Sequence, residues 1–357
     1  MTVEELIQWT GDMQITGYLD EHYQLEVKQA KKYRGVIQLA TNRGLYALKE
    51  VADGEQNRIR LWAEVGKQLQ PNLSMLTPIE TKSGQVTFRS AERTYTLLPW
   101  AKAMPIRLRT VSEWEWVTQR IAEFHLSSQQ IELSRSYHRY RQVGKWGAKW
   151  RNAFRQLELY LQATDWSITT SDRYQAWNHF VVTSTNRMGG LIRYYNQMDG
   201  DQLCIKMYQY GKVCHGNLHR HHLLIDTRGN LHFVDGTQMV LDCRTYDLAK
   251  WLLYAYGRTG NIRFTLRLLH AYQQIAKLES SEYAMIYAQM IFPGHLFDVL
   301  QHVYRDQTLP IAAGGTALQK AMIQEERKEK LLTQFPKLVN QVFRVEVPPF
   351  QQLNHKK

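Results

Sequence analysis

The stretch at residues 213–247 constrains the fold more than any other part of the chain. It opens with a loop of small and polar residues, and a short apolar run, 223–225, follows. Residues 227–230 include glycine and asparagine, which tolerate the positive φ angles of a tight turn. A second apolar run, 231–234, ends on Asp235. The pattern predicts a β-hairpin whose polar end brings Asp235 close to the opening loop.

This loop and hairpin resemble the catalytic segment of protein-kinase-like folds, in the aminoglycoside-phosphotransferase branch. That family has H-G-D-x-x-x-x-N before the hairpin and a second Asp after it. In phosphoryl transfer the first Asp accepts the proton of the attacking hydroxyl, while the Asn and the second Asp hold Mg²⁺ on the nucleotide phosphates. This chain has His215, Asn217 at the position of the first Asp, and His222 at the position of the Asn. The second carboxylate, Asp235, is kept.

The two replacements weaken the chemistry that the resemblance implies. Asn217 can hydrogen-bond a hydroxyl but cannot take its proton, and losing a general base costs about 10²–10⁴ in rate. His222 offers a nitrogen, which suits Zn²⁺, Ni²⁺ or Cu²⁺ better than Mg²⁺. We therefore expect a degenerate site. Asn217 stands at the position of the general base, and Asp235 is the remaining residue that could hold a metal ion on the nucleotide phosphates.

The region before this segment has the element order of a kinase small lobe. Its apolar pattern predicts strands at 23–27, 35–41 and 45–51, a helix at 54–69, and strands at 84–88 and 93–98. The resemblance places Lys49 where such folds keep the lysine that contacts nucleotide phosphates. Glu64, or else Glu55, is its expected ion-pair partner on the helix. Taken alone, Lys49 equally fits an edge strand with its ammonium in solvent.

Two positions weaken the nucleotide site further. Kinase folds place several glycines between the first two strands, so that backbone N–H groups reach the phosphates. This chain has three lysines and one arginine in residues 28–34, followed by a single glycine, Gly35. Pro99, where the two lobes would join, has no N–H to offer an adenine ring. It equally fits the role of stiffening that linker.

The remainder of the chain reads as helical. Amphipathic periodicity predicts helices at 111–127, 146–161, 173–198, 246–256, 262–276, 281–291, 295–304 and 317–335. We expect an α+β, bilobal, protein-kinase-like fold with a small β-rich N-lobe and a large helical C-lobe. The expected boundaries are an N-lobe at 1–98, a linker at 99–105, a C-lobe at 106–345 that carries the hairpin 213–236, and a flexible tail at 346–357.

Other stretches resemble one branch of this fold, the CotS-like spore coat proteins of endospore-forming bacteria. They run from about residue 25 to 335 and comprise 46–49, 121–128, 144–146, 214–215, 246–251 and 291–293. The resemblance implies synthesis in the mother-cell cytoplasm and a place in the spore coat among other coat proteins. It also implies that Asp247 bonds backbone groups near His215. A carboxylate favoured by the dipole at a helix start explains Asp247 as well.

The composition limits the classes of binding partner that we expect. The 357 residues carry a formal net charge of +12, which favours an anionic ligand or polymer, but the basic residues are dispersed, so nucleic acid is not expected. No stretch approaches the roughly 20 apolar residues of a membrane span. The acidic, amphipathic start does not suit a secretory signal. Cys204, Cys214 and Cys243 form no C-x-x-C pair, which predicts reduced thiols.

Three functional hypotheses remain. The first, which we favour, is a spore coat pseudokinase that acts as a structural, scaffolding or binding component, with no cofactor and no phosphotransfer. The second is an unorthodox small-molecule or sugar kinase that uses ATP and Mg²⁺ with Lys49 and Asp235. The third is a polyanion-binding protein.

A concentration of histidines adds a separate question about metals. His215, His219, His221 and His222 lie within eight residues, and His232 is on the facing strand. Together with the carboxylate at the hairpin end they could hold a soft metal ion. We favour structural packing of His215 and His219, with His221 exposed, over such a metal site.

Overall fold

A computed structural model describes residues 3–33, 35–70, 73–91, 93–165, 171–308 and 311–350, with the side chains of 161–165, 171–179, 181 and 311–314 left aside. Arg34 and residues 351–357 of the expected tail lie outside the described residues. The chain divides into two compact units. The first comprises Met1–Thr110, Leu126–Arg141 and His215–Val240, and the second comprises Val111–His125, Gln142–Cys214 and Leu241–Lys357.

The first unit is built on an antiparallel sheet. Its elements are α1 (Val3–Thr10), α2 (Ile15–Tyr23), β1 (Val27–Tyr33), β2 (Val36–Thr41), β3 (Gly44–Val51), α3 (Gln56–Leu69), β4 (Phe88–Ser90) and β5 (Arg93–Pro99). The strand order in the sheet is β1-β2-β3-β5-β4. Strand β3 therefore lies inside the sheet, paired on both sides.

The two faces of β3 have different environments because successive side chains of a strand point to opposite faces. Leu48 belongs to a buried apolar cluster with Leu6, Ile15 and Leu19 of α1 and α2. Lys49, the next residue, lines a cavity instead. The edge-strand alternative for Lys49 is wrong, since β3 pairs with both β2 and β5.

A second, three-stranded antiparallel sheet contains the hairpin. It consists of β6 (Ala103–Pro105), β7 (Leu223–Asp226) and β8 (Leu231–Phe233), in that order. The predicted hairpin is confirmed. Its turn is held by the Asp226 carboxylate, which accepts from the N–H groups of Arg228 and Asn230, and Gly229 supplies the positive φ of 84°.

The second unit is helical. It contains α4 (Val111–Ser127) up to His125, α5 (Trp146–Asp165), α6 (Ser171–Gln197), α7 (Gly200–Met207), α8 (Thr245–Thr259), α9 (Ile262–Ile275), α10 (Ser280–Ile291), α11 (Gly294–Leu300), a π-helical turn (Gln301–Arg305) and α12 (Ile311–Phe343). Large side chains such as Trp251, Tyr272 and Ile286 are fully buried in it. Within the described residues, every helix is too short or too polar to cross a lipid bilayer. The expected α+β class is confirmed.

Two predicted strands are wrong. Residues 23–27 alternate like a strand, but helix α2 continues to Tyr23 and ends at Gln24, whose φ of 57° is left-handed. Strand β1 begins only at Val27. At 84–88, the backbone of residues 81–85 forms a turn closed by the Thr81 N–H to Gln85 carbonyl bond, so only Phe88 of the predicted strand pairs in β4. The short helix α7 was not predicted.

Two Arg–Glu pairs, one buried and one exposed, allow a prediction of how burial changes the contribution of an ion pair to the free energy of unfolding. Arg244 and Glu282 form bonds of 2.8 and 2.7 Å, and their side chains are 2% and 0% exposed. Arg267 and Glu115 form bonds of 2.5 and 3.4 Å at a surface where Arg267 is 59% exposed. Glu282→Gln removes the counter-charge of a buried guanidinium, so we expect the free energy of unfolding of this variant to fall by about 3–5 kcal/mol.

The matched control is Glu115→Gln, for which we expect a loss below about 1 kcal/mol because water screens the exposed pair. Urea denaturation followed by circular dichroism measures both variants. Equal losses in the two variants would contradict the prediction.

Candidate functional site

Lys49 and Asp235 meet at the centre of the first unit. The Lys49 ammonium lies 2.6 Å from Oδ1 of Asp235, and the side chains are 18% and 28% exposed. β3 delivers the lysine and the end of β8 delivers the carboxylate, so residues far apart in sequence form one ion pair. Lys49 and Asp235, which the resemblance assigns to one site, are therefore in direct contact.

Asp235 is held in a strained backbone conformation. Its φ is 63°, in the left-handed region that L-residues rarely adopt. Oδ1 also accepts the hydroxyl of Thr237 at 2.5 Å and the Thr237 N–H at 3.4 Å. Burial alone would raise the pKa of this carboxyl, but the Lys49 charge and the hydrogen bonds from Lys49 and Thr237 lower it to about 2. Asp235 is therefore an anion at any physiological pH.

His222 lies on the other side of the same carboxylate. Its Nδ1–H donates to the backbone carbonyl of Asn217 at 2.8 Å, and its Nε2 lies 3.6 Å from Oδ2 of Asp235. Burial lowers the pKa of His222 against the opposing pull of Asp235. The side chain of Asn217 is exposed. The structure thus groups Lys49, His222 and Asp235, with the Asn217 carbonyl fixing the imidazole.

The other histidines point elsewhere. His215 donates from Nε2 to the Val234 carbonyl at 3.0 Å. His219 accepts the N–H of His221 on its Nδ1, and burial together with the neighbouring imidazoles lowers its pKa to about 4. His232 pairs with Asp226 at 3.1 Å instead of facing Asp235. Among the described histidines of this stretch, His222 is the one paired with Asp235.

Helix α3 presents different residues to the site from the ones predicted. Trp62 packs so closely on Gly236 that a Cβ there would lie 2.5 Å from the indole Cγ. One turn earlier, Arg58 donates to the Thr237 carbonyl at 3.2 Å. Glu64 is two positions past Trp62, about 200° around the helix.

The expected carboxylate partner of Lys49 is corrected accordingly. Glu64 accepts a hydrogen bond from Gln68, and Glu55 pairs with Arg58 at 2.8 Å, while Lys49 pairs with Asp235. The rotation of α3 about its axis decides this pairing, because it directs Trp62 toward the site and Glu64 away from it. The apolar spacing that predicted the helix contained the signal, because Trp62 belongs to its buried stripe.

A cavity of about 270 Å³ adjoins the ion pair. This volume is somewhat below the roughly 300–1,000 Å³ of sites for drug-sized ligands. Its polar groups include Lys49, Asp235, His221 and His222, and apolar side chains form most of the remainder: Val36, Ala47, Leu76, Leu98, Pro99, Ala101, Ala103, Pro105, Leu224 and Val234. Trp62 also lines it, and the Trp62 Nε1–H is buried with no acceptor among the described residues. The cavity therefore suits a small ligand with an apolar body and an acceptor group.

Two aromatic residues that the sequence did not single out stand at this cavity. Tyr33 and Trp100 both line it, and their rings meet edge to face with centroids 5.5 Å apart. The Trp100 N–H donates to the Leu45 carbonyl at 3.2 Å. Since Pro99 has no N–H, two successive linker residues cannot donate a backbone hydrogen bond to a ligand. This strengthens the expectation that adenine would lose a contact here.

The connection between β1 and β2 is very short. Tyr33 pairs directly with Val36, so only two positions of the sequence separate the paired residues. So short a connection has few backbone N–H groups that could surround a phosphate. The pairing of Tyr33 with Val36 is therefore consistent with the weak phosphate clamp that we expected.

The second unit contains a buried cluster of His125, Cys214 and Asp247, whose ligand-type atoms lie within 4.8 Å of one another. His125 Nε2 is 3.5 Å from Asp247, and its Nδ1 is 2.8 Å from the Tyr272 hydroxyl. Burial raises the pKa of the Cys214 thiol well above its usual range and lowers that of His125. The Cys214 thiol donates to the Cys243 carbonyl at 3.3 Å, so the contacts of the cluster fit a packing role. Asp247 lies in the first turn of α8.

Comparison with known families identifies relatives over most of the chain. A family model described as the spore coat putative kinase YutH matches residues 16–335. The endospore coat-associated protein YutH of Bacillus subtilis (strain 168) is 21% identical over 303 residues, which cover 81% of this chain and 83% of that protein. The resemblance to kinase-like spore coat proteins is confirmed.

Solved structures share the fold. An aminoglycoside phosphotransferase from Alicyclobacillus acidocaldarius superposes with a TM-score of 0.68 at 14% identity, over 88% of this chain and 93% of that one. A spectinomycin phosphotransferase bound to ADP and spectinomycin gives 0.59 at 12% identity, over 89% and 98%. A microcompartment-associated aminopropanol kinase gives 0.57 at 13%, over 91% and 98%. The expected kinase-like, aminoglycoside-phosphotransferase-like fold is confirmed.

The close contact between Gly236 and Trp62 generates a prediction. Gly236→Ala places a methyl group against the indole, so α3 or the hairpin end must shift. We expect a loss of about 1–3 kcal/mol in the free energy of unfolding, as in other overpacked sites. The control is Gly35→Ala, where a Cβ meets nothing within 4 Å. Denaturation midpoints measure both, and a stable Gly236→Ala protein would show that the contact is loose.

Proposed function

The chain belongs to the YutH family of putative spore coat kinases, and from this we propose that it is a coat-associated pseudokinase. In this role the kinase-like fold serves as a scaffold or binding module for other coat proteins or a small ligand, and transfers no phosphate. The coat association of the B. subtilis relative supports the location. The observation that carries the proposal is the state of the site carboxylate, because the Lys49 ammonium already neutralises Asp235.

Phosphoryl transfer requires a group that accepts the hydroxyl proton, ideally with a pKa near the working pH. Asn217 has no basic atom. Asp235, with its pKa lowered to about 2, is a very weak base, and His219 is lowered to about 4. Of the described residues that line the cavity, Asp235 is the only one with a carboxylate. These groups support binding better than proton removal.

The Mg²⁺ implied by the fold family fits these residues poorly. Mg²⁺ prefers oxygen ligands in octahedral geometry. Here one oxygen of Asp235 is engaged by Lys49 and Thr237, and the atom facing the other oxygen is a histidine nitrogen. These residues therefore support the proposal that the site works without Mg²⁺.

A weakly active small-molecule or sugar kinase is the second candidate. It is favoured by the position of Lys49 beside Asp235 at the wall of a cavity, and by the ADP in the related spectinomycin phosphotransferase. Polyanion binding is a third candidate. It is supported by the net charge of +12 and by Lys28, Lys31 and Lys32, which are exposed along β1. Both remain proposals of lower rank because neither explains the residues at positions 217 and 222.

Phosphate transfer from radiolabelled ATP in Mg²⁺ buffer tests the proposal, with aminoglycosides, amino alcohols and sugars as acceptors. Because the general base is replaced, we expect a rate at least about 10²–10⁴ below that of an aminoglycoside phosphotransferase assayed in parallel. We also expect the same background rate in Asp235→Asn.

The control variant is Asp226→Asn, which removes a carboxylate of the same hairpin at its turn. Mg²⁺-dependent transfer that Asp235→Asn abolishes and Asp226→Asn retains would establish the kinase hypothesis in place of the pseudokinase.

A further inference from the structure

Three side chains of the first unit form a continuous chain of hydrogen bonds beside the hairpin. The Ser74 hydroxyl lies 2.5 Å from Nδ1 of His232, and Nε2 of the same ring lies 3.1 Å from Oδ2 of Asp226. The serine belongs to the segment that follows α3, while Asp226 ends β7 and His232 lies in β8. A nucleophile, a base and a carboxylate that can orient the base are therefore linked in that order.

The backbone holds the serine beside the imidazole. Met75 forms a parallel bridge with Phe233, and both side chains are buried, at 2% and 1% exposure. The Phe233 N–H donates to the Ser74 carbonyl at 3.0 Å, and the Phe233 carbonyl accepts from the Leu76 N–H at 2.9 Å. Because side chains alternate along both segments, Ser74 and His232 point away from that buried face, and both are half-buried.

Asp226 determines which nitrogen of the ring can act as a base. Hydrogen bonds from the side chain and backbone of Asn230, and from His232, lower the pKa of Asp226 well below its usual range. An ionised carboxylate only accepts, so Nε2 of His232 carries the ring proton and Nδ1 carries the lone pair. The Ser74 hydroxyl therefore donates to Nδ1. Serine proteases use Nε2 as the base, and exchanging the two nitrogens leaves the three roles unchanged.

We propose that Ser74, His232 and Asp226 form a nucleophilic site that accepts an acyl group from an activated ester. Ser74 Oγ bonds to the carbonyl carbon while His232 Nδ1 takes the hydroxyl proton, and the proton then passes to the leaving oxygen. The products are the acyl ester of Ser74 and a free alcohol or phenol, so no further reactant is consumed. Ser74 and His232 are the catalytic residues, and Asp226 is a positioning residue.

The surroundings favour a small acyl donor without negative charge. The side chains of His232 and Asp226 are 16% and 20% exposed, which leaves limited access for a bulky group. His232 lies opposite Leu224 across the hairpin, so an apolar side chain shares its face. The Asp226 anion repels donors that are themselves anionic. Short aryl esters such as p-nitrophenyl acetate meet these conditions and carry a phenolate leaving group that departs readily.

This acyl-transfer site is separate from the ion pair of Lys49 and Asp235. Its three residues are not among the described residues that line the cavity beside that pair. Acyl transfer needs neither nucleotide nor phosphate, so the inference does not rest on the proposed pseudokinase. Asp226→Asn can therefore impair acyl transfer and still leave phosphate transfer unchanged.

The test incubates the full chain, without nucleotide, with p-nitrophenyl acetate and separately with a fluorophosphonate probe. Absorbance of p-nitrophenolate gives the rate, and peptide mass spectrometry locates the acetyl or phosphonyl group. We expect both groups on Ser74 of the wild type. We also expect acylation at least about 10²-fold slower in Ser74→Ala and in His232→Gln, which lack the nucleophile and the base.

Two variants of the same unit are matched controls. The Ser83 hydroxyl contacts the Thr81 hydroxyl at 3.0 Å and no imidazole, and His138 is an exposed histidine. We expect Ser83→Ala and His138→Gln to keep the wild-type rate within about 2-fold, as for substitutions remote from a site. A rate that falls as much in His138→Gln as in His232→Gln would show surface imidazole catalysis and overturn the proposal.

Asp226→Asn tests the positioning role. Its amide oxygen can still accept in the turn, but its N–H can face Nε2 and move the ring proton to Nδ1, where it blocks the base. We expect acylation at least about 10²-fold slower, as in serine proteases changed in this way. Nitrogen NMR of the histidine rings should show the change of tautomer in His232. An unchanged rate despite a changed tautomer would remove Asp226 from the site.

Melting curves show which variants are folded before ester is added. Wild-type protein that gains no acetyl or phosphonyl group on Ser74 would overturn the proposal, and the chain of hydrogen bonds would then serve the hairpin alone. Acylation of folded Ser74→Ala at the wild-type rate would overturn it as well. Locating the group on the wild type requires no variant, so the result stands even where Ser74→Ala fails to fold. None of these outcomes bears on phosphate transfer, so failure here is distinct from failure of the pseudokinase proposal.

Discussion

The ion pair between Lys49 and Asp235 is the interaction on which the geometry of the first unit depends. It connects the middle of a five-stranded sheet to the end of a hairpin that comes 186 residues later. Asp235 adopts a left-handed φ, which costs a non-glycine residue about 1–3 kcal/mol and persists only where the surroundings fix it. Lys49 and Thr237 hold the carboxylate of Asp235 through hydrogen bonds, and Trp62 packs against the next residue, Gly236. Charge attraction at one point thus keeps β3, α3 and β8 in a fixed arrangement around the cavity.

The arrangement separates two properties that an active kinase combines. Positioning survives, because a lysine and a carboxylate still meet beside a cavity with apolar walls. In the proposed pseudokinase, proton acceptance and magnesium coordination are lost, because Asn217 and His222 have the wrong donor atoms for those tasks. In this account the fold is retained for what it can bind and hold. Family membership and the coat association of a relative are consistent with such a use.

Sequence patterns predicted the parts of the structure that depend on local chemistry. Alternation and turn residues gave the hairpin, periodicity gave most helices, and the resemblance placed Lys49 and Asp235 in one site. Sequence patterns failed where a helix and a strand were both compatible with the local sequence. Residues 23–27 alternate like a strand, yet Tyr23 is the last residue of helix α2. The ion-pair partner of Lys49 also could not be read from sequence. It depends on the rotation of α3, which tertiary packing of Trp62 on Gly236 sets. The same holds for the 3.6 Å gap beside His222, which the histidine count alone did not distinguish from the hydrogen-bonded His232.

The most direct test of the central claim restores the two replaced side chains together. The measurement is Mg²⁺-dependent ATP hydrolysis by wild type and by the double variant Asn217→Asp/His222→Asn, with melting curves to show that both are folded. We expect the wild type to hydrolyse ATP no faster than the Asp235→Asn background, and the double variant to exceed that background at least about 10²-fold, since a general base and an oxygen ligand return beside Lys49 and Asp235. Hydrolysis by the wild type at the rate of the double variant would contradict this expectation, because the original side chains would then already suffice for the chemistry.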